Sequence, residues 1–183
     1  MNLLNKCFVF LFCLLCGCSK QVVTTKGTID KKIQDEIISE YNALPEPLKK
    51  ECKSIVLCDE NTFEYNEEEI VDGNYSKSSV YLLVDSRTKS IQDYRSALIH
   101  EIGHIIDTKY KYSSTSEFKQ LYKENKIGYY DLGIRNVNEF FCEALSLYYT
   151  NPSELKDWND EVYRYIENVI WSYSWMLRME HPT

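Results

Sequence analysis

The sequence lacks the features that mark several common classes of protein. Its longest apolar run, Cys7 to Cys16, is about half as long as the roughly 20 residues that a membrane-spanning helix needs. The chain has no internal repeat and no low-complexity tract, and after the first 18 residues no pair of its cysteines has the spacing of a zinc finger. The sequence therefore does not predict a repeat protein, a zinc-finger module or a helix that spans a membrane.

The sequence also has fewer basic than acidic residues. Lysine and arginine number 21 against 28 aspartates and glutamates, which gives a formal net charge of −7. Removal of the amino-terminal segment would take away Lys6 and make the charge one unit more negative. From this balance we expect no nucleic acid partner and little attraction for anionic lipid.

Histidine is scarce as well, but two of the three histidines stand in one HExxH segment, His100 to His104. Residues four apart lie on one face of a helix, so both imidazoles can bind one zinc ion at about 2.0–2.1 Å. Glu101 would then lie beside the ion, where a carboxylate can take a proton from zinc-bound water and pass it to a leaving amine. The alternative is two ordinary histidines on an amphipathic helix, but the glutamate between them and a downstream ligand candidate favour a catalytic metal site.

A catalytic zinc ion needs a third protein ligand, since its fourth position is left for water or substrate. His181 is a poor candidate because it lies beside Pro182 near the carboxyl end, where chains commonly fray. Asp107 shares the histidine face, but a helix rises about 10 Å between positions 100 and 107. We therefore expect Asp107 to receive the N–H of a ligand histidine or to bond the neighbouring loop, with an ordinary helix-end aspartate as the alternative.

Better candidates lie in the helix predicted at 136–149, which has an asparagine cap. Glu139 and Glu143 share one face of that helix, and apolar residues crowd the rest of its surface. Two carboxylates are costly to bury there without positive partners, and a zinc ion with its imidazoles would supply them. We predict Glu139 as the ligand and Glu143 as its outer partner, over the alternative that both belong to a solvated face.

Two motifs carry a resemblance to a known family. The segments HEIGHIID at 100–107 and NEFFCEA at 138–144 resemble the gluzincin metallopeptidases related to the catalytic domain of anthrax lethal factor and to clostridial Pro-Pro endopeptidases. The resemblance covers roughly residues 90–183. It implies one zinc ion held by two histidines and a glutamate, a general base within HExxH, and a second helix glutamate that supports a ligand. By position these roles fall on His100, His104, Glu139, Glu101 and Glu143.

One position departs from the pattern of this family. The family usually has a transition-state tyrosine seven residues before the glutamate ligand, and here that position is Leu132. Tyr129 and Tyr130 lie close by. A loop shifted by two or three residues would bring Tyr130, our candidate catalytic residue, or Tyr129 to the oxyanion, and packing is the alternative for both.

The pattern of apolar residues predicts an α+β fold, with a small mixed sheet in the amino half and helices in the carboxyl half of a single zincin-like domain. The predicted strands are 54–58 and 79–84, with 62–65 as a further candidate. The predicted helices are 29–44, an HExxH helix capped by Ser90 or Asp93, 114–125, 137–150 and 157–179.

Strand 79–84 is also the candidate site for substrate. If it forms the sheet edge above the HExxH helix, an extended peptide can pair with its free backbone groups. The residues concerned are Val80, Tyr81, Leu82 and Leu83. This arrangement favours a protein or peptide substrate over sugars or esters.

The first 17 residues combine Lys6, an apolar run and no acidic residue, and they predict a secretion signal. The run closes in Leu15-Cys16-Gly17-Cys18, which resembles a bacterial lipobox, so we expect Cys18 to carry lipid after cleavage. Residues 18–27 would form a flexible tether and 28–183 the metallopeptidase domain. These features predict a lipoprotein on the extracellular face of the bacterial cell membrane, with a plain signal peptide and a secreted protein as the alternative.

The number of cysteines agrees with a lipoprotein outside the cell. Three of the seven leave with the signal and Cys18 would carry lipid, so Cys52, Cys58 and Cys142 remain. An odd number outside the cell argues against a disulfide scaffold. Cys52 and Cys58 could pair with each other, and Cys142 is predicted as a small buried apolar residue.

The sequence therefore predicts a monomeric zinc-dependent endopeptidase that hydrolyses peptide bonds in extracellular or surface proteins. Its contact with the membrane would be the lipid on Cys18. The alternative from another class is a lipid-anchored peptide-binding or adhesion module whose zinc site is structural or vestigial.

Overall fold

Four strands form one mixed sheet in the amino half of the protein. The computed structural model describes residues 22–64, 73–84, 89–124 and 136–180. The order of the strands across the sheet is β1-β2-β4-β3, in which β1, β2 and β4 are parallel and β3 is antiparallel to β4. These strands are β1 (Val22–Lys26), β2 (Ser54–Cys58), β3 (Gly73–Ser76) and β4 (Ser79–Leu83).

Helices cover one face of this sheet. Successive side chains of a strand point to opposite faces, so every second residue of the two central strands enters the same core. The residues of β2 and β4 that do so are fully buried, and they are Ile55, Leu57, Val80 and Leu82. The opposite face carries a smaller apolar cluster formed by Cys58, Phe63 and Leu83.

Seven helices accompany the sheet in the described part of the chain. Two of them connect β1 to β2 and the other five follow the sheet, which confirms the predicted α+β class and the division between the two halves. None of these helices combines the length and the apolar character needed to cross a bilayer. They are α1 (Lys31–Ala43), α2 (Glu46–Glu51), α3 (Ile91–Tyr110), α4 (Ser116–Glu124), α5 (Val137–Thr150), α6 (Pro152–Trp158) and α7 (Asp160–Glu180).

Helix α3 carries the HExxH segment through the core. It begins with a capping box, in which the N–H of Asp93 bonds Ser90 Oγ at 3.3 Å and the N–H of Ser90 bonds Asp93 Oδ2 at 2.7 Å. The two residues predicted as alternative caps therefore act together. The helix ends at Tyr110. The residue that caps it, Lys111, adopts the left-handed conformation and donates its N–H to the carbonyl of Asp107. Most residues in the second half of the helix are buried between the sheet and α5.

Helices α3 and α5 pack closely because position 103 is a glycine. A Cβ atom on Gly103 would lie 3.2 Å from both Cα and Sγ of Cys142 on α5. Cys142 is itself completely buried, as the sequence analysis predicted. A larger side chain at position 103 would push the two helices apart, and any site built from both helices depends on their separation.

The predicted tether at 18–27 is wrong in its second half. Val22–Lys26 form β1, which pairs with β2 over its full length, from Val22 beside Ser54 to Lys26 beside Cys58. Val23 packs against the main core. Valine and threonine are β-branched and fit a pleated strand, so these residues belong to the domain and not to a flexible leash.

The predicted edge strand is also wrong. β4 pairs with β2 on one side and with β3 on the other, so the backbone of Val80, Tyr81, Leu82 and Leu83 is already hydrogen-bonded within the sheet. β3 takes the edge position instead. The sequence did not predict this strand, because Gly73 and Asn74 are residue types typical of turns.

Cys52 and Cys58 are free and buried, and they do not pair. β2 separates them along the chain, and four steps of an extended strand cover about 13 Å. A disulfide needs Cα atoms within about 7 Å of each other. Their positions at opposite ends of a strand therefore exclude the bond.

Candidate metal centre

The two imidazoles of the HExxH segment converge in the middle of α3. Their Nε2 atoms lie 3.2 Å apart, and the rings meet edge to face with centroids 4.9 Å apart. His104 is buried and His100 is nearly so. The one-turn spacing thus brings two nitrogen donors to one point, as predicted from the sequence.

Glu139 completes a triangle with these two nitrogens. It lies in the first turn of α5, which Asn136 caps by accepting the N–H groups of Asn138 and Glu139. Its carboxylate oxygens lie 3.1 Å from Nε2 of His100 and 3.4 Å from Nε2 of His104. Ligands at 2.0–2.1 Å around a tetrahedral zinc ion are about 3.3 Å apart, so the three donors fit zinc.

Cys142 is the other ligand type near the histidines. Its Sγ and the histidine nitrogens lie within 4.8 Å of one another, whereas tetrahedral zinc would bring sulfur and nitrogen to about 3.5 Å. Zinc binds the thiolate, and burial raises the pKa of Cys142 well above its ordinary value, with the charge of Glu139 adding to the effect. The geometry therefore favours Glu139 as the third donor, and Cys142 serves to pack α5 against α3.

Outer contacts fix the orientation of both imidazoles. Nδ1 of His100 lies 3.3 Å from the carboxylate of Glu143, and Nδ1 of His104 lies 2.7 Å from Oδ1 of Asn138. Because both oxygens are acceptors, each Nδ1 carries the proton. Both Nε2 atoms then face the common point, which is the orientation that a metal site needs.

Asp107 acts on this arrangement through Asn138. The side-chain N–H of Asn138 donates to Oδ2 of Asp107 at 2.6 Å, and Asp107 also accepts the N–H of Ser113 at 2.6 Å and its hydroxyl at 2.7 Å. Of the options expected for Asp107, bonding to the neighbouring loop is thus the one observed. Its connection to His104 runs through Asn138, a residue to which the sequence analysis assigned no function.

The charges at the centre stabilise one another. Burial by itself would lower the pKa of His100, but hydrogen bonds to Glu139 and Glu143 outweigh it and raise the pKa to about 10. Burial would likewise raise the pKa of Glu139, but its hydrogen bonds to His100 and His104 hold it well below its usual range. Without a metal, His100 and Glu139 therefore form an ion pair at neutral pH.

Glu101 is buried and interacts electrostatically with His100, His104 and Glu139. Burial raises its pKa, although the neighbouring charges of His100 and His104 oppose that shift. β3 lies directly against it, since a Cβ atom on Gly73 would be only 2.7 Å from Cγ of Glu101. Tyr75 of the same strand stacks on the ring of His104, with centroids 4.8 Å apart and planes 7° from parallel. The edge strand thus forms one wall of the centre.

Comparison with known proteins agrees with this geometry. Residues 60–169, about three fifths of the chain, match the family model of the anthrax toxin lethal factor, N- and C-terminal domain. The chain belongs to this lethal factor family. The matched stretch contains β3, β4, α3 and α5, the elements that surround the metal centre of this family member. A comparison with curated proteins found no match.

Several predicted functional residues lie outside the described part of the chain. They are the candidate lipidation site Cys18, the candidate oxyanion residues Tyr129 and Tyr130, and Leu132 at the position where related peptidases usually have tyrosine.

We predict that Asn138→Ala lowers the affinity for zinc by about 10- to 100-fold, because His104 loses the acceptor that fixes its tautomer. Zinc affinity can be measured by competition with a chromophoric chelator. Asn168→Ala, at an exposed position of α7, is the matched control and should bind zinc like the wild type. Equal affinities of the two variants would contradict the proposed orientation of His104 by Asn138.

The metal-free protein should show a pH-dependent contribution from His100. Its pKa in the folded state is raised above the ordinary value of 6.5, so the stabilisation is fully present below pH 6.5 and is lost as the pH rises towards about 10. Urea unfolding with a chelator present, compared between wild type and His100→Gln, should show a difference in free energy that shrinks over this range. His181→Gln is the control and should leave the profile unchanged. A constant difference would contradict the ion pair.

Proposed function

We propose that this protein is a zinc-dependent endopeptidase that hydrolyses peptide bonds in extracellular or surface proteins. The observation that carries the proposal is the convergence of three side chains. The Nε2 atoms of His100 and His104 lie 3.2 Å apart, and the two carboxylate oxygens of Glu139 lie 3.1 and 3.4 Å from them. The buried carboxylate of Glu101 interacts electrostatically with the same three side chains. A structural zinc site uses four protein ligands, whereas a catalytic site keeps one position for water or substrate. Three convergent donors and an adjacent base fit the catalytic kind.

Each residue of the centre would have its own function in hydrolysis. His100, His104 and Glu139 would hold one zinc ion, which supplies a Lewis acid for the scissile carbonyl and lowers the pKa of water. Glu101 would take the proton of the attacking water on its carboxylate and pass it to the leaving amine. A pKa raised by burial suits this function, because a carboxylate that is too weak a base accepts a proton poorly.

The edge strand β3 is the proposed binding site for the substrate backbone. Within the described residues, its outer edge pairs with no other strand. Gly73 and Tyr75 place that edge beside Glu101 and His104, so an extended peptide added there would run past the metal centre. This proposal replaces the one that the sequence had suggested for β4.

We also propose that the protein works outside the cell as a monomer, anchored by lipid on Cys18 to the bacterial cell membrane. The support is the lipobox-like segment at 15–18 after a short apolar run. Several acyl chains on one residue anchor a protein stably, whereas a single chain binds membranes only marginally. Nucleic acid is not a proposed partner, given the net charge of −7.

The decisive experiment is cleavage of a broad peptide mixture, followed by mass spectrometry, with and without a zinc chelator. We expect chelator-sensitive cleavage that Glu101→Gln lowers by about 10²- to 10⁴-fold, because the general base is lost while the zinc ligands remain. Glu117→Gln, on the exposed surface of α4, should cleave at the wild-type rate. A zinc-loaded protein with no cleavage would favour the peptide-binding or adhesion module, and wild-type cleavage by Glu101→Gln would refute the base.

Gly73→Ala should lower kcat on the order of 10²-fold with little change in zinc affinity. The new Cβ atom would meet Cγ of Glu101 at 2.7 Å and its Oε1 at 3.0 Å, so the carboxylate must move away from its place beside the metal. Ser76→Ala changes an exposed residue of the same strand and should leave kcat unchanged. An unchanged kcat in Gly73→Ala would show that Glu101 does not depend on β3.

A further inference from the structure

Basic residues gather at one end of the sheet in this acidic protein. Parallel pairing puts the first residues of three strands side by side, with Val22 next to Ser54 and Ser54 next to Ser79. The turn between β3 and β4 belongs to the same end, because the carbonyl of Ser78 accepts the N–H of Lys53 at 2.7 Å. This end of the sheet is therefore a defined surface of the domain.

Five lysines surround this surface, which we call the lysine end. Helix α2 finishes there, and the carboxyl end of α3 joins it through contacts with α2. The ion pairs there join Glu46 to Lys49 at 2.7 Å and buried Glu51 to Lys109 at 2.9 Å. The members of the lysine end are Lys49, Lys50, Lys53, Lys77 and Lys109. Lys53 and Lys77 add two exposed cations to these pairs, in a chain whose net charge is −7.

Lys53 and Lys77 lie on the two chain segments that meet at this end of the sheet. Both are solvent-exposed, one just before β2 and the other in the β3–β4 turn. Lys77 adopts a left-handed conformation with φ 56°, which costs a residue with a side chain roughly 1–2 kcal/mol and which glycine adopts freely. The turn therefore carries a cation at a position where another residue type would be more stable.

The amino-terminal segment reaches the domain at this same end. β1 starts at Val22, and the proposed lipid attachment site Cys18 lies four residues before it. Four residues span at most about 14 Å. A lipid on Cys18 would therefore hold the start of β1, and with it the lysine end, close to the membrane surface.

We propose that the lysine end is a docking surface for the anionic leaflet of the membrane that holds the lipid anchor. The proposal rests on the anchoring at Cys18 that forms part of the proposed function. A lysine near an anionic lipid surface contributes about a five-fold preference for the bound state. The field of such a surface falls off within about 10 Å, so the charge of the facing surface decides the orientation and the net charge of the whole protein does not.

Docking in this way leaves the Gly73 end of the proposed substrate edge away from the membrane. β3 is antiparallel to β4, so Gly73, which lies against Glu101, is at the end of the sheet opposite the lysine end. Ser76, at the other end of β3, adjoins the lysine end because it pairs with Ser79. The proposed substrate edge therefore starts beside the proposed membrane surface and runs away from it.

The test is amine footprinting of the full chain, expressed with its own leader and reconstituted into vesicles of phosphatidylcholine with or without phosphatidylglycerol. Mass spectrometry measures the acetylation rate of each lysine and the lipid mass on Cys18. We expect Lys53 and Lys77 to react at least about five-fold more slowly in the vesicles that contain phosphatidylglycerol, and high salt to remove this protection. Lys119 and Lys123, exposed on α4, should react equally in both kinds of vesicle.

A matched pair of double variants sharpens the test. Lys53→Gln with Lys77→Gln should weaken the docked orientation about 25-fold and abolish the protection of Lys50. Lys119→Gln with Lys123→Gln removes the same charge from α4 and should leave that protection intact. Thermal unfolding checks that both variants are folded.

Equal acetylation of Lys53 and Lys77 in the two kinds of vesicle, on a chain shown to carry lipid, would overturn the docking surface and leave the anchor standing. A chain without lipid on Cys18 would overturn the anchor and the docking surface with it. Neither result bears on peptidase activity, which the chelator-sensitive cleavage assay tests separately.

Discussion

The metal centre depends on the close approach of two helices that lie far apart in the sequence. α3 supplies two imidazoles whose Nε2 atoms lie 3.2 Å apart, and α5 supplies one carboxylate whose two oxygens lie 3.1 and 3.4 Å from those nitrogens. These side chains can share one ion only while the two helices keep this separation. Gly103 permits this approach because even one methyl group there would press on Cys142. Aromatic side chains on the outer side of α5 hold it in place, since Phe118 of α4 packs against Phe140 and Phe141. The chemistry of the centre thus follows from helix packing.

Polar contacts then fix the orientation of the two imidazoles at the centre. Buried ionisable groups are costly unless each has a partner, and at this centre they form a connected set. Glu143 and Asn138 accept hydrogen bonds from the Nδ1–H groups of the two histidines, and Asp107 with Ser113 holds Asn138 in place. Both Nε2 atoms therefore face one point before any metal arrives, and zinc binding would displace the Nε2 proton of His100 with little rearrangement of the side chains.

The two ends of the sheet have different surroundings. Its edge strand β3 brings Gly73 against Glu101 and Tyr75 against His104, so the same strand that is open to an extended peptide also shapes the metal centre. The parallel strands start together at the end of the sheet opposite Gly73, and lysines gather there. The two ends of the sheet therefore present different surfaces of one small domain.

The sequence alone determined the features that depend on neighbouring residues. The helical period, the caps at Ser90 and Asn136, and the one-turn spacing of His100 and His104 are local properties, and α3 and α5 appear where they were predicted. The short helices α2 and α6 were not predicted. The approach of Glu139 to the histidines could be predicted because burying charge on an apolar helix demands a positive partner. Tertiary structure decided the rest, because strand pairing and side-chain networks join residues distant in the chain. β1 and β3 became strands through their partners, and Asn138, Gly73 and Tyr75 acquired their functions only when folding placed them beside the histidines and Glu101.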